Sequence, residues 1–174
     1  MSGSLPNSLI QKYKNGSGIF FETGTSAGDS LATAAEEGFD LLYSVELDIP
    51  TFNAAFRRFF NDVNIVIMQG DSVEIMEQIL PHIMVPTMFW LDAHPDTTQG
   101  CTPILDELRA IGKMRIPAII LADDMRLMGM GRWTVTVPDI INSIREINPR
   151  YEIVFESNGH DPRDIMVAYL PEGE

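Results

Sequence analysis

The sequence predicts an α/β protein built on a doubly wound, seven-stranded sheet that closes with a C-terminal antiparallel hairpin. Three observations carry this. Short β-rich apolar runs alternate with helical stretches of about ten residues, the rhythm of right-handed βαβ units. Only Glu156–Arg163, with Asn158-Gly159 inside it, separates the last two runs. That gap is too short for a crossover and suits an antiparallel pair. Finally, 174 residues, 45% of them hydrophobic, can bury a sizeable core as one domain without covalent staples.

The elements follow in order. Residues 1–17 read as a short leader and 18–174 as a single domain. Gly18–Thr23 is the first strand, and Ser26–Glu37 a helix stopped by Gly38. Leu41–Leu47 is the second strand, followed by a helix through Phe52–Phe60 that starts near Pro50. Asn64–Met68 is the third, after which Asp71-Ser72-Val73-Glu74 reads as a capping box opening a helix to about Leu80. Thr87–Leu91 is the fourth strand, and Thr102-Pro103 caps a helix over Ile104–Lys113. Ala118–Ala122 is the fifth. A helix near Asp139–Ile147 then precedes the closing strands Tyr151–Phe155 and Asp164–Tyr169. The ten methionines and nine phenylalanines read mostly as core filler.

Charge narrows the function. Asp and Glu number 25 against 12 Lys and Arg, a net charge of -13. Such a balance opposes binding to phosphate backbones or to an anionic membrane surface, so neither nucleic acid nor membrane is an expected partner. The lone Cys101 cannot form an intrachain disulfide and reads as incidental. No signal-peptide pattern opens the sequence and no apolar run approaches ~18 residues, so a cytoplasmic location is expected.

In such sheets ligands bind outside the carboxyl ends of the strands. After the first strand comes Glu22-Thr23-Gly24-Thr25-Ser26-Ala27-Gly28. Gly24 allows a tight turn against a ligand, Gly28 a close approach of helix to sheet, and the helix-start amides would face a polar group. The loop is not the dinucleotide pattern G-x-G-x-x-G, because Ser26 replaces the middle glycine. A nicotinamide-dependent oxidoreductase is thereby disfavoured. The second strand ends in Glu46-Leu47-Asp48, where an acid can accept both hydroxyls of a ribose or cap the next helix. Asp71, after the third strand, suits an exocyclic amine or a helix cap. Asp92 follows the fourth strand, and Asp123-Asp124 the fifth. Three carboxylates converging at one sheet edge repel unless a cation lies between them, and oxygen ligands suit Mg²⁺ or Mn²⁺. Met125–Thr136 reads equally as a lid over an acceptor or as a connector.

The succession E-x-G-x-x-x-G, V-E-L-D, G-D-S, L-D-A-H and L-A-D-D resembles the class I S-adenosylmethionine-dependent methyltransferases, over about Gly18 to Leu170. The resemblance implies their Rossmann-like sheet and closing hairpin. The acids of strands four and five resemble metal-dependent O-methyltransferases of the catechol and caffeoyl-coenzyme A type. F-W-L-D-A-H with T-P-I-L-D-E-L resembles sugar and macrolide O-methyltransferases. By this resemblance Glu22, Gly24, Thr25 and Gly28 hold the methionine part of S-adenosyl-L-methionine, Glu46 the ribose, and Asp71 with Ser72 the adenine side. Asp92, Asp123 and Asp124 would ligate Mg²⁺ or Mn²⁺, and a small-molecule hydroxyl would accept the methyl group. Pro95 stands where catechol-type enzymes carry a lysine base. His94 is then the nearest base beside Asp92, a backbone-bonded structural histidine being its alternative. The second functional reading is a non-catalytic binding module on the same fold.

Overall fold

The computed structural model describes residues 4–94, 102–131 and 133–171. The strands are β1 (Ile19–Thr23), β2 (Leu41–Glu46), β3 (Ile65–Gln69), β4 (Thr87–Leu91), β5 (Ala118–Ala122), β6 (Glu152–Glu156) and β7 (Ile165–Tyr169). Their order across the sheet is β3-β2-β1-β4-β5-β7-β6. The first five pair in parallel, while β7 lies antiparallel between β5 and β6. The chain thus winds outward from β1, then crosses to β4 and winds the other way. The carboxyl ends of β1 and β4 flank that reversal, where open α/β sheets form their binding crevice.

Among the described residues six α-helices cover the two faces: α1 (Asn7–Tyr13), α2 (Asp29–Ala35), α3 (Ile49–Arg58), α4 (Ser72–Ile79), α5 (Ile104–Ile111) and α6 (Val137–Ile147). On one face Leu9 and Ile10 of α1, Leu31 of α2 and Phe59 after α3 pack with Phe20, Trp90 and Val167. On the other, Met76, Leu108, Ile111, Ile140 and Ile144 from α4, α5 and α6 pack against Phe21, Phe89 and Ile120. The central strands β1 and β4 are buried throughout, which is why they read as unbroken apolar runs.

Several local expectations change. The stretch read as a leader contains α1, whose Leu9, Ile10 and Tyr13 are buried, and Leu5 N–H donates to Ser30 Oγ at 2.9 Å. Asp71 caps α4 by accepting from the N–H groups of Val73 (2.9 Å) and Glu74 (3.1 Å), but the return bond of a capping box is not formed. A full box forms instead at Thr136 and Asp139, so α6 begins two residues before Asp139. α2 starts later than Ser26 because Gly28 is its left-handed N-cap. The phenylalanines are not all core. Phe52, Phe56 and Phe60 stack along the outer side of α3, with centroids 5.8 and 6.0 Å apart, and Phe60 is 72% exposed. Among the described residues no helix is long and apolar enough to cross a membrane. Cys101 and Arg132 lie outside the described residues.

Candidate functional site

The loop after β1 is held by backbone contacts on both sides. At Gly24 (φ +82°) a Cβ would lie 2.6 Å from the Asp92 carbonyl oxygen, so only glycine lets this turn touch the end of β4. The Gly24 and Thr25 amides donate to Val45 O at 2.9 and 3.2 Å, and Ser26 N–H donates to Glu46 Oε2 at 2.9 Å. These loop amides are therefore committed to the neighbouring strand rather than free for a ligand. At Gly28 (φ +80°) a Cβ would meet the Phe59 ring at 2.6 Å. Its close neighbour is the end of α3, not the sheet that the sequence suggested.

Two hollows lie on either side of Gly24. One of about 150 Å³ is lined by Glu46, Gly70, Asp71, Ser72 and His94; the other, about 70 Å³, by Glu22, Thr25, Ser26, Asp29 and Asp92. The structure thus brings together six of the seven residues expected around the nucleotide-like ligand, while Gly28 shapes the loop from behind. Glu46 is fixed by a second bond, from Asp48 N–H to its Oε1 at 3.0 Å. Asp48 itself caps α3, accepting from Thr51 N–H at 2.9 Å. Glu22 is fully buried and accepts from Ser44 Oγ at 2.6 Å, with Thr25 Oγ1 a further 2.6 Å along. Burial pushes its carboxyl well above the usual range, Ser44 pulls it back in part, and the charges of Asp92 and Glu46 push it further up.

One functional group was missed in the sequence. Glu107, on the inner face of α5, is 1% exposed and accepts from Ser72 Oγ at 2.6 Å, directly behind the larger hollow. Its position three residues after Ile104 on an apolar helix face was the available signal. Burial raises its carboxyl to about 7, against the opposing hydrogen bond from Ser72. A raised native pKa means that the folded state holds a proton the unfolded state has released. Stability from this group is therefore full below about pH 4.5 and is lost as pH climbs toward 7. Glu107→Gln, which keeps an acceptor for Ser72, is expected to be more stable than wild type at pH 8 by roughly 2 kcal/mol, with the gap closing near pH 4. Urea denaturation across that range measures it, and an unchanged gap would show that Glu107 does not titrate there.

The acids after β4 and β5 fall into two overlapping groups rather than one trio. Asp92, His94 and Asp124 converge, and Asp123, Asp124 and Asp164 form the adjoining cluster. His94 Nε2 lies 3.0 Å from Asp92 Oδ1 and 2.6 Å from Asp124 Oδ2. Burial alone would lower the imidazole's pKa, but the two carboxylates outweigh it and raise it to about 9. A ring that keeps its proton at neutral pH sits as a cation among these acids. Asp124, at φ +59°, also pairs with Arg126 Nη1 at 2.6 Å, and Arg126 reaches on to Asp164. Although Asp124 is buried, its partners His94 and Arg126 hold its carboxyl below the usual range. Asp123 is 1% exposed and neither of its carboxylate oxygens has a hydrogen-bond partner among the described residues. Burial, with Asp92 beside it, raises its carboxyl to about 7. The segment after these acids is anchored, since Met125 and Met128 are buried and Met125 N–H donates to Asp164 O at 2.9 Å. It carries Trp133 to an edge-to-face contact with His94, centroids 4.8 Å apart.

No protein-family model matches the chain, and no curated protein matches it in sequence. Solved structures do. An O-methyltransferase from Bacillus cereus in complex with SAH is 16% identical with a TM-score of 0.64, over 94% of this chain and 78% of that one. The O-methyltransferase TomG from Streptomyces achromogenes, in complex with SAM, is 13% identical with a TM-score of 0.61, over 95% and 78%. Spermidine synthase from Thermotoga maritima is 12% identical with a TM-score of 0.63, over 88% of this chain and 54% of that one. The fold is the class I methyltransferase fold. A fold alone does not fix which group is transferred; the residues of the site do.

Proposed function

We propose that the protein binds S-adenosyl-L-methionine along the ends of β1 and β2 and transfers its methyl group to a hydroxyl of a small molecule, with a divalent cation assisting. The observation that carries this reading is Glu46: its two oxygens accept from Ser26 and Asp48 N–H groups, which aims the carboxylate at the larger hollow beside Gly24. There it accepts the ribose hydroxyls, and Asp71 with Ser72 meets the adenine side. The smaller hollow is lined by Glu22, Asp29 and Asp92, whose oxygens suit the α-ammonium group at the methionine end of the same ligand.

The donor supplies a methyl group on a cationic sulfur, displaced in line by the acceptor oxygen. The chain's part is to hold the two reactants in that line and keep water out. Gly24 presses the donor loop against the backbone of Asp92, which sets the distance between the donor hollow and the acids after β4. Asp92 and Asp124 fit a divalent cation, and Asp123, in the adjoining cluster that shares Asp124, is buried with both oxygens unpartnered among the described residues. Such a cation, when bound, would acidify the acceptor hydroxyl. His94 and Trp133 then border the acceptor.

Glu46→Ala is expected to weaken binding of S-adenosylhomocysteine by about 1–3 kcal/mol, a loss of roughly 5- to 150-fold. Calorimetry on both proteins, with NAD as a control ligand, measures this. Equal affinity in the variant, or tighter binding of NAD, sinks the placement. Cofactor binding without turnover on a panel of hydroxylated acceptors would favour a binding module.

A further inference from the structure

Resting on the methyltransferase reading, we infer that His94 is a ligand of the cation site, through Nε2, and that the site is built for a first-row transition cation rather than Mg²⁺. In an octahedral site with bonds of 2.0–2.1 Å, neighbouring ligand atoms lie about 3 Å apart. The separations of Nε2 from Asp92 Oδ1, 3.0 Å, and from Asp124 Oδ2, 2.6 Å, are of that size. Neither approach has the geometry of a hydrogen bond, for Nε2 and Asp92 Oδ1 are both buried without a hydrogen-bond partner among the described residues. Two donors that close, and not bonded to each other, mark the edges of a coordination polyhedron.

The surroundings support the same reading independently. Asp123, next in the chain to Asp124, is 1% exposed and holds two further oxygens, unpartnered among the described residues, in the adjoining cluster that shares Asp124. Arg126 engages Asp124 Oδ1 and so leaves Oδ2 turned to the imidazole. Trp133 packs edge-to-face on the ring and fixes its plane. Carboxylates alone would suit Mg²⁺ or Ca²⁺, whereas an imidazole nitrogen in the set shifts preference toward the Mn²⁺ to Zn²⁺ series. With His94 as ligand, Nε2 is no longer a base for the acceptor hydroxyl, and the position of Pro95 needs no lysine to replace it.

Binding of Co²⁺, Mn²⁺ and Mg²⁺ to the full chain can be measured by calorimetry, with visible absorption following Co²⁺. Wild type is expected to bind Co²⁺ at least about tenfold more tightly than Mg²⁺. His94→Gln should cut Co²⁺ affinity by roughly 10–100-fold and change its absorption bands, while Mg²⁺ affinity moves little. Asp92→Asn should weaken all three ions, and thermal melts would show that each variant is folded. Equal affinity of wild type for Co²⁺ and Mg²⁺, or Co²⁺ bands unmoved by His94→Gln, overturns the inference. So does the failure of every cation to bind. S-adenosylhomocysteine binding, run alongside, separates these outcomes: if it persists, only the cation site falls, and if it too is absent, the methyltransferase reading falls with it.

Discussion

Gly24→Ala is expected to lower the stability of the folded protein by about 2–4 kcal/mol and to abolish measurable binding of S-adenosylhomocysteine. Two costs combine. Forcing an L-residue into left-handed backbone costs roughly 1–2 kcal/mol. The new methyl group would also stand 2.6 Å from the Asp92 carbonyl oxygen and 2.9 Å from its carbonyl carbon, and backbone cannot swing aside as a side chain can. Relief must come from parting the ends of β1 and β4, which opens the hollow where the ligand would sit. Gly28→Ala makes the informative comparison. It carries the same left-handed strain, but its methyl would meet the Phe59 ring, which can rotate, so its cost should be nearer 1–2 kcal/mol. Urea denaturation and calorimetry on both variants test the order. A Gly28 variant damaged as badly as the Gly24 variant would contradict it.

Asp124→Asn is expected to cost about 2–4 kcal/mol at pH 7, because it strips one buried carboxylate from two cations at once. The substitution spares the backbone, since asparagine tolerates the left-handed conformation seen at φ +59°. What it removes is the charge between His94 and Arg126, at 2.6 Å from each. Arg126 keeps Asp164, whereas among the described residues His94 keeps Asp92 as its remaining carboxylate. The native carboxyl of Asp124 lies below the ordinary aspartate value, so its stabilisation is full above about pH 4 and disappears as pH falls through the lowered value. The gap between variant and wild type should close in the same direction. Asp106→Asn, at the exposed pair with Arg109, is the control and should change almost nothing. A difference as small as that control would mean that Asp124 is not held by its two partners.

The sheet was legible because each strand announces itself twice, as a short apolar run and as the polar turn residue that follows it. Glu46, Asp71 and Asp92 all lie just beyond or at strand ends, so their convergence followed from topology alone. What escaped was of two kinds. Some of it was local and readable: Leu9, Ile10 and Tyr13 are spaced for one face of a helix, and Thr136 with Asp139 is a capping pair with Asp in place of Glu. The rest was not local. His94 meets Asp124, thirty positions later, only because β4 and β5 pair with Leu91 beside Ala122. The sheet order brings these acids to one edge, but no spacing in the chain could show which of their oxygens the imidazole would meet. Glu107 sits between these cases, since its helix face was readable but its Ser72 partner came from a different βα turn.

The placement of β7 sets an order of events in assembly. Among the described residues β6 pairs only with β7, and β7 also with β5, so β6 cannot join the sheet until the strand that follows it in the chain has arrived. During synthesis β5 stays an open edge until then, the condition in which strands are prone to pair wrongly. Asp164, just ahead of β7, brings the bonds that clamp the loop after Asp124: its carbonyl takes Met125 N–H, and its carboxylate takes Arg126 N–H and the Arg126 guanidinium. The two hollows beside Gly24 draw on the ends of β1, β2, β3 and β4 and the turns after them, whereas the acid loop acquires its clamp only when the last strand docks. A chain cut before Asp164 would thus lose β7 and the clamp on its acids and leave β6 without its partner strand, while keeping the glycine turn and Glu46.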